Sequence, residues 1–295
     1  MPKRSSVYCL VLLIMLATLL MVGCSKKEEP QPLPPKQTVK PTTPAPKPEP
    51  TPSPVVEVPV INQPVLSTQR IGWGIGRNST HTSPGVPAAW TNLLSRYQGY
   101  YLGDTSSKIL YLTFDEGYEN GFTPAILDTL KQEQVSAAFF VTNPYIKQHA
   151  DLVQRMVKEG HLVGNHTSTH PSMAALTAAQ IQKELGDTAA SFRAATGQDI
   201  SPYMRPPMGE FSEHSLAETV KLGYKSIFWS FAYKDYDVKA QPGKDAAYQM
   251  VMKNVHPGAI LLLHAVSQSN TEALPNILRD LKAQGYTFLP LTALK

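Results

Sequence analysis

Cysteine is scarce in this chain of 295 residues, which contains only Cys9 and Cys24. Both lie near the N-terminus, so a disulfide framework is excluded for the rest of the chain. A metal site with cysteine ligands is excluded there as well. Any metal in the folded part must therefore be held by histidine and by oxygen ligands such as carboxylates.

Charged residues are also few, at 17% of the chain. Residues 67–295 contain 20 Lys or Arg and 19 Asp or Glu, whereas residues 1–66 contain seven and four. A nucleic-acid-binding domain needs clustered cationic residues, so this balance argues against one. The apolar share of 42% allows a globular core.

The N-terminal residues resemble an export signal. Two basic residues precede an uncharged, mostly aliphatic run at 5–25, which ends in the letters MVGC. This ending resembles a bacterial lipobox, with Met21 where leucine is usual. We therefore expect a signal peptide at 1–23, a lipid on Cys24, and an extracytoplasmic lipoprotein of the bacterial cell membrane that faces the cell wall. The alternatives are a plain signal peptide and an uncleaved anchor, because the run is nearly long enough to span a bilayer.

Proline is concentrated in the next segment. Of the 26 prolines, 13 lie between Pro30 and Pro64. Such a density favours extended polyproline II, and there is little apolar surface to bury. We interpret residues 24–66 as the lipidated N-terminus and a semi-rigid linker. A proline-rich ligand for a partner domain is the alternative.

Residues 67–295 alternate between predicted strands and helices. Strands are predicted at 109–114, 137–141, 161–164, 224–229, 259–263 and 286–289, and helices at 123–131, 151–158, 177–195, 212–222, 244–255 and 270–283. The alternation predicts one α/β domain with a parallel sheet or barrel. Six or seven such units in about 229 residues are close to the usual size of a β/α barrel.

Polar residues follow several of these strand segments. They are Asp115-Glu116, Asn165-His166, Arg205, Asp235 and His264. In parallel α/β folds, residues just past the C-terminal ends of strands point into the active site. We therefore expect these side chains to meet in one site.

Two histidines in this group are spaced for a metal. On a helical turn, His166 and His170 would lie on one face, close enough to share one ion. Glu116 is the candidate for the third ligand, while Asp115 beside it would act as a base. Two acidic residues in a solvated turn are the alternative.

An acid–base pair is also predicted. His264 follows a buried strand, where it would be either a core histidine or a general acid. Asp235 would hold its ring and favour the imidazolium. Arg205 would pair with Asp115 and keep that carboxyl ionised.

Five motifs occur in a defined order along the chain. They are TFDEG at 113–117, HTSTH at 166–170, RPPMG at 205–209, WSFAYKD at 229–235 and LLLH at 261–264. Over about residues 100–290, this series resembles the polysaccharide deacetylase (NodB homology) family, carbohydrate esterase family 4. Further segments are similar to its PdaA-like subgroup, the sporulation enzymes that make muramic δ-lactam; they lie at 103–104, 118–121, 210–213, 228–230 and 256–260.

The resemblance implies a distorted (β/α) barrel of the NodB type with about seven parallel strands. It implies a divalent metal, zinc ahead of cobalt or manganese, with His166, His170 and Glu116 as ligands. The implied reaction is hydrolysis of the N-acetyl group of peptidoglycan amino sugars. Muramic acid on the way to muramic δ-lactam is the favoured substrate.

The resemblance also implies residue roles. Asp115 would be the general base and His264 the general acid, oriented by Asp235, while Arg205 would tune Asp115. A backbone N–H at Met208 would hold the oxyanion.

Pro207, Tyr118 and Met208 are the residues implied to contact the oxyanion or the substrate. Two positions depart from the family pattern. Glu116 stands where the family usually has aspartate, so its place among the ligands is open. Met208 stands where the wider family has tyrosine, and the PdaA-like subgroup is expected to have arginine.

Other interpretations stay open beside this one. N-acetylglucosamine in peptidoglycan or a chitin-type glycan is the second substrate, and an esterase acting on xylan or chitin oligomers is a third. The remaining alternative is a catalytically inactive, anchored glycan-binding protein. In all of them the partners are glycan strands and the membrane, without nucleic acid, and the chain is expected to be a monomer.

The tryptophans before residue 100 complete the set of candidates. We expect Trp73 and Trp90 to serve in packing ahead of sugar binding. The glycine repeat at 72–76 does not predict a nucleotide site, because it neither follows a clear strand nor opens a helix.

Overall fold

The chain is described here from a computed structural model that covers residues 65–294. The signal peptide, the Cys24 lipid site and almost all of the linker lie outside these residues and stay predictions. Within residues 65–294, no helix combines the length and the apolar character that crossing a membrane requires.

Strands and helices alternate along the described chain. The strands are β1 (Ile71–Gly72), β2 (Gly99–Tyr100), β3 (Ile109–Glu116), β4 (Ala138–Val141), β5 (Leu162–Asn165), β6 (Tyr203–Met204), β7 (Glu210–Phe211), β8 (Lys225–Ile227), β9 (Ile260–His264) and β10 (Thr287–Phe288). The helices are α1 (Ala88–Arg96), α2 (Thr123–Gln132), α3 (Asn143–Gln148), α4 (Ala150–Lys158), α5 (Ala178–Thr196), α6 (Glu213–Lys221), α7 (Lys244–Asn254) and α8 (Gln268–Ala283). Short 3₁₀ turns lie at Met173–Ala175, Pro207–Gly209 and Leu291–Ala293.

The main sheet is parallel, as the alternation predicts. Its strand order is β10-β3-β4-β5-β6-β8-β2, and β9 also pairs with β3. The segment after β8 reaches β9 through a parallel bridge between Phe231 and Leu261. The sheet therefore curls back on itself, which brings the C-terminal ends of β3, β5, β8 and β9 around one opening.

The central strand β3 shows why one carboxyl and not its neighbour faces this opening. Leu112 and Phe114 belong to the core between sheet and helices, whereas Tyr111 belongs to a second core cluster on the other face. Successive side chains of a strand alternate between its two faces. Asp115 therefore shares a face with Tyr111, and Glu116 falls on the opposite face with Phe114.

Local sequence signals explain the ends of the longest helix. Thr177 caps α5 in a reciprocal capping box with Gln180. The helix ends at Gly197, whose φ of 73° is left-handed.

A short segment before α1, residues 67–77, is called the N-terminal strap below. Within it, β1 pairs antiparallel with β7, in the register Ile71 to Phe211 and Gly72 to Glu210. The sequence did not predict this element, since a strand of two residues is too short for a periodic pattern. Trp73 is buried against Trp90 and other aromatic rings, so the expected packing role is confirmed for this residue.

Candidate active site

A pocket of about 800 Å³ lies at the C-terminal ends of the strands. Six of the predicted site residues line it: Asp115, Tyr118, His166, His170, Met208 and His264. Four others do not: Glu116, Arg205, Pro207 and Asp235. Of these four, Arg205 and Asp235 support lining residues from behind.

Arg205 is fully buried and forms an ion pair with Asp115. Its Nη1 lies 2.7 Å from Asp115 Oδ1. Its Nε and Nη2 donate to the carbonyls of Ile227 and Phe228, at 3.1 and 3.4 Å, and its guanidinium lies 4.3 Å from the centre of the Phe140 ring. These partners hold the charge in place, as a buried ion requires.

The same contacts decide the protonation of Asp115. Burial acts to raise the pKa of this carboxyl. Burial is the largest single effect, but the charge of Arg205, the charges of His166 and His264 and the Arg205 hydrogen bond together outweigh it, and the pKa ends below its ordinary value of 3.8. Asp115 is therefore an ionised carboxylate near neutral pH, as a general base must be.

Asp235 holds His264 through several bonds. Its Oδ1 lies 2.7 Å from His264 Nδ1, and its Oδ2 accepts from the His264 backbone N–H at 2.8 Å. Oδ2 also accepts from Asn270 Nδ2 at 2.6 Å, and Tyr233 donates its hydroxyl to Asn270 Oδ1. With Nδ1 held by Asp235, His264 presents Nε2 to the pocket. Sequence reasoning missed Asn270, because a single asparagine in the first turn of α8 carries no recognisable signal.

Asp235 also controls the charge of His264. Burial acts to lower the pKa of this imidazole. The hydrogen bond and negative charge of Asp235 outweigh burial, aided by Asp115, and the pKa ends above its ordinary value of 6.5. His264 therefore favours the imidazolium form, which can donate a proton.

The segment from His166 to His170 is a loop, so the predicted helical turn is wrong. Thr167 and His170 have left-handed φ values of 68° and 58°, which a helix excludes. The loop nevertheless brings the two imidazoles together, with ring centres 4.8 Å apart. Spacing alone could not reveal this, because the same separation along the chain fits both conformations.

Glu184 on α5 fastens this loop. Its carboxylate accepts from the backbone N–H groups of Ser168 and Thr169 and from the Thr169 hydroxyl, each at 2.7 Å. Strained backbone persists where its surroundings fix it, and Glu184 supplies three such bonds. Sequence reasoning missed this residue, since a glutamate in a long helix usually faces solvent.

The two histidines fit a metal as a pair of neutral ligands. His166 Nδ1 lies 2.8 Å from the carbonyl oxygen of Arg205, which leaves Nε2 for the pocket. Burial lowers the pKa of His166 to about 4 and also lowers that of His170. Neutral imidazole nitrogens are common ligands of divalent metals.

Glu116 does not lie with these histidines. Its carboxyl is fully buried, and neither oxygen has a hydrogen-bond partner in the described part of the chain. Burial, then the negative charges of Glu119 and Asp115, raise its pKa well above the ordinary 4.5. Residues 65–294 contain no group of three or more His, Cys, Asp or Glu placed to hold a metal. Glu116 as the third ligand therefore stays a prediction that this geometry does not support.

Exposed apolar side chains surround the mouth of the pocket. Tyr118, Met208 and Tyr236 line it and are each about half exposed. The Tyr236 ring lies edge-on to His264, with ring centres 5.4 Å apart. Sequence reasoning missed Tyr236, although its place directly after Asp235 was an available signal.

The arrangement supports hydrolysis by acid–base chemistry. A carboxylate that can accept a proton and an imidazolium that can donate one face the same pocket. The apolar mouth can accept a sugar ring on its flat face.

The chain is similar in sequence to a known family and to individual proteins within it. The family model described as polysaccharide deacetylase matches residues 102–227. A Bacillus subtilis protein, peptidoglycan-N-acetylmuramic acid deacetylase PdaA, is 47% identical over 218 residues, which are 74% of this chain and 83% of that protein. A peptidoglycan-N-acetylglucosamine deacetylase of Bacillus cereus is 29% identical over 71% of this chain and 75% of its own length.

The solved structure of Bacillus subtilis PdaA, a family 4 carbohydrate esterase, is also similar. It matches with a TM-score of 0.76 and 45% identity, over 78% of this chain and 98% of the other.

Proposed function

Because the chain belongs to the polysaccharide deacetylase family, we propose that it hydrolyses the N-acetyl group of amino sugars in peptidoglycan. One observation carries the proposal: Asp115, whose pKa is lowered, and His264, whose pKa is raised, line the same pocket. This pair provides the base and the acid that amide hydrolysis needs.

The reaction begins with a water molecule between Asp115 and the acetamide carbonyl. Asp115 takes a proton from the water while the water oxygen bonds to the carbonyl carbon. The carbonyl oxygen becomes an oxyanion, and a backbone N–H of the turn Pro207–Gly209 stabilises it. Arg205 keeps Asp115 ionised until the water arrives.

The second step breaks the carbon–nitrogen bond. His264 donates its Nε2 proton to the leaving nitrogen while the carbonyl reforms. Asp235 stabilises the imidazolium before this transfer and fixes the ring. The products are a free amino sugar and acetic acid, which ionises to acetate. The proton held by Asp115 then passes to His264, which restores both side chains for the next turnover.

His166 and His170 are the residues that would hold a divalent metal, with zinc ahead of cobalt or manganese. When bound there, such an ion would polarise the acetamide carbonyl as a Lewis acid. Both rings are neutral and both face the pocket, which supports this part of the proposal.

Muramic acid is the favoured substrate within peptidoglycan. The similarity to a peptidoglycan-N-acetylmuramic acid deacetylase over 83% of that protein supports it. The freed amine of muramic acid can then condense with the lactyl carboxyl of the same residue, with loss of water, to give muramic δ-lactam. We propose that the chain acts in this way in sporulation, as a monomer anchored by a lipid on Cys24 and facing the cell wall.

N-acetylglucosamine is the second candidate. The similarity to a peptidoglycan-N-acetylglucosamine deacetylase favours it, at lower identity. The two sugars differ by the lactyl group, so the products distinguish them.

The test is product analysis of peptidoglycan treated with the purified protein. One sample retains its stem peptides, and another has been stripped of them by an amidase. Mass spectrometry of the digested glycan should show loss of acetyl, 42 Da, from muramic acid in the stripped sample, since one acetyl becomes one hydrogen. Loss from glucosamine alone would select the second candidate. If no glycan released acetate with zinc, cobalt or manganese added, the inactive glycan-binding interpretation would replace both.

A further inference from the structure

Trp73 lies in the N-terminal strap, before the stretch that the family model matches, yet it bonds to two loops of the pocket. We propose that Trp73 is a positioning residue, which fixes the turn Pro207–Gly209 against the segment that follows β8. The inference rests on the proposed function in one respect, namely that this turn stabilises the oxyanion.

Trp73 reaches both loops through hydrogen bonds. Its backbone N–H donates to the Gly209 carbonyl at 2.9 Å. Its indole Nε1–H donates to the Trp229 carbonyl at 2.8 Å. Trp73 is only 2% exposed, so both of its donors lie within the packed interior on the strap side.

The indole completes a row of donors to consecutive carbonyls. Arg205 donates to the carbonyls of Ile227 and Phe228, and Trp73 donates to the next one, that of Trp229. The segment after β8 is thereby held by the arginine that pairs with Asp115 and by the strap. A shift of the indole would therefore displace the backbone carbonyls to which Arg205 donates.

The turn itself needs external support. Met208 has a left-handed φ of 57°, which is strained for a residue with a side chain, and Gly209 has a φ of 65°. A Cβ on Gly209 would lie 2.9 Å from Trp73 Cβ and 2.7 Å from the Trp229 ring. The turn therefore packs directly on the Cβ of Trp73 and on the Trp229 ring, whose own carbonyl accepts the Trp73 indole N–H.

The ring of Trp73 has a packing role that must be separated from its N–H. It lies against the rings of Trp90, Tyr101 and Phe228, with centres 5.9, 5.2 and 4.9 Å away. Phenylalanine at this position keeps an aromatic ring in the cluster and removes the donor. Trp90 packs on Trp73, and no hydrogen bond joins its side chain to either loop within residues 65–294. Trp90→Phe is therefore the matched control.

The experiment compares W73F and W90F in the full chain. Deacetylation is measured as kcat and KM, thermal unfolding as Tm, and backbone mobility as hydrogen–deuterium exchange of peptides from 205–211 and 229–232. We expect W73F to lower kcat about tenfold with KM within about twofold, since the oxyanion contact is made only in the transition state. Exchange in both peptides should rise in W73F and stay at the wild-type level in W90F, and the Tm of each variant measures its general loss of stability.

The proposal is overturned if W73F matches W90F in exchange and in kcat, or if kcat falls in both in proportion to Tm. The exchange measurement needs no substrate. If the wild type released no acetate, the proposed function would fail, and exchange would still decide whether Trp73 fixes the turn.

Discussion

Asp115 and His264 are register partners across the neighbouring parallel strands β3 and β9. Side chains at partner positions point to the same face of a sheet. The proposed base and the proposed acid are thus placed together by strand pairing, while Arg205 and Asp235 adjust their charges from behind.

Replacing Asp115 by asparagine should abolish activity and also weaken the fold. Asparagine cannot accept the proton of the attacking water, so we expect kcat to fall by about a thousandfold. It also leaves the buried Arg205 charge without its partner, a change that typically costs about 3 kcal/mol or more. Urea unfolding and kcat measured on the same preparation check both effects. Wild-type kcat in D115N would contradict the assigned base.

The pH dependence should report the Asp235–His264 pair. The pKa of His264 is raised above 6.5, so the imidazolium persists to higher pH than in a free histidine. The value of kcat/KM should therefore fall only as the pH rises through this raised pKa. The pair contributes its whole stabilisation at pH values below the pKa that His264 has in the unfolded chain. This stabilisation is lost as the pH rises through the higher pKa of His264 in the folded protein. D235N should shift the alkaline limb of the kcat/KM profile to lower pH. An unmoved limb would show that another group controls it.

Glu184 should control the metal pair through the loop that it holds. E184Q removes the charge that strengthens three hydrogen bonds, so His170 is less firmly placed. We expect zinc affinity, measured by calorimetry, to fall about tenfold, within the range for residues that support metal ligands. The control is E218Q, whose glutamate pairs with Lys221 on α6. Equal zinc affinities in the two variants would argue against this role.

Glu116 should behave as a buried neutral acid. Because burial and neighbouring negative charge raise its pKa, its contribution to stability is present below pH 4.5 and is lost as pH rises through the folded pKa. E116Q should therefore gain stability relative to the wild type at pH 9 but not at pH 4. Zinc affinity should change less than about twofold. A large loss of affinity would instead identify Glu116 as a ligand.

The lipid anchor can be tested separately from the enzyme. Cells grown with radiolabelled palmitate should label the wild type and not C24A. Label retained in C24A, or absent from both, would leave a plain signal peptide or an uncleaved anchor.

Sequence reasoning reached most of the fold because long elements leave a periodic pattern. The alternation predicted a parallel α/β sheet or barrel and the family resemblance implied the NodB type, and the similarity to the PdaA structure confirms this fold. Family membership was predicted from the ordered motifs and is confirmed. Site positions such as Asp115 and His264 were accessible, since each lies at the C-terminal end of a run of buried apolar residues that forms a strand.

What sequence could not supply depends on contacts between distant residues. Glu184 and Asn270 act through hydrogen bonds across the fold, and nothing near them in sequence marks that role. Thr167 has a left-handed φ, which its residue type does not favour, in the loop that Glu184 holds through Ser168 and Thr169. Trp73 was correctly assigned to packing, but its bond to Trp229 was not foreseen, because 156 residues separate the two.

Met208 combines a fixed backbone with a free side chain. Its φ of 57° belongs to a turn that neighbouring residues hold, whereas its side chain is 55% exposed at the mouth of the pocket. The side chain at this position can therefore be substituted while the backbone of the turn keeps its conformation. Selection for a different glycan can act on the side chain without disturbing the amide that we propose as the oxyanion donor. A saturation library at this one codon is thus an economical route to altered sugar preference, with asparagine the replacement best suited to the left-handed backbone.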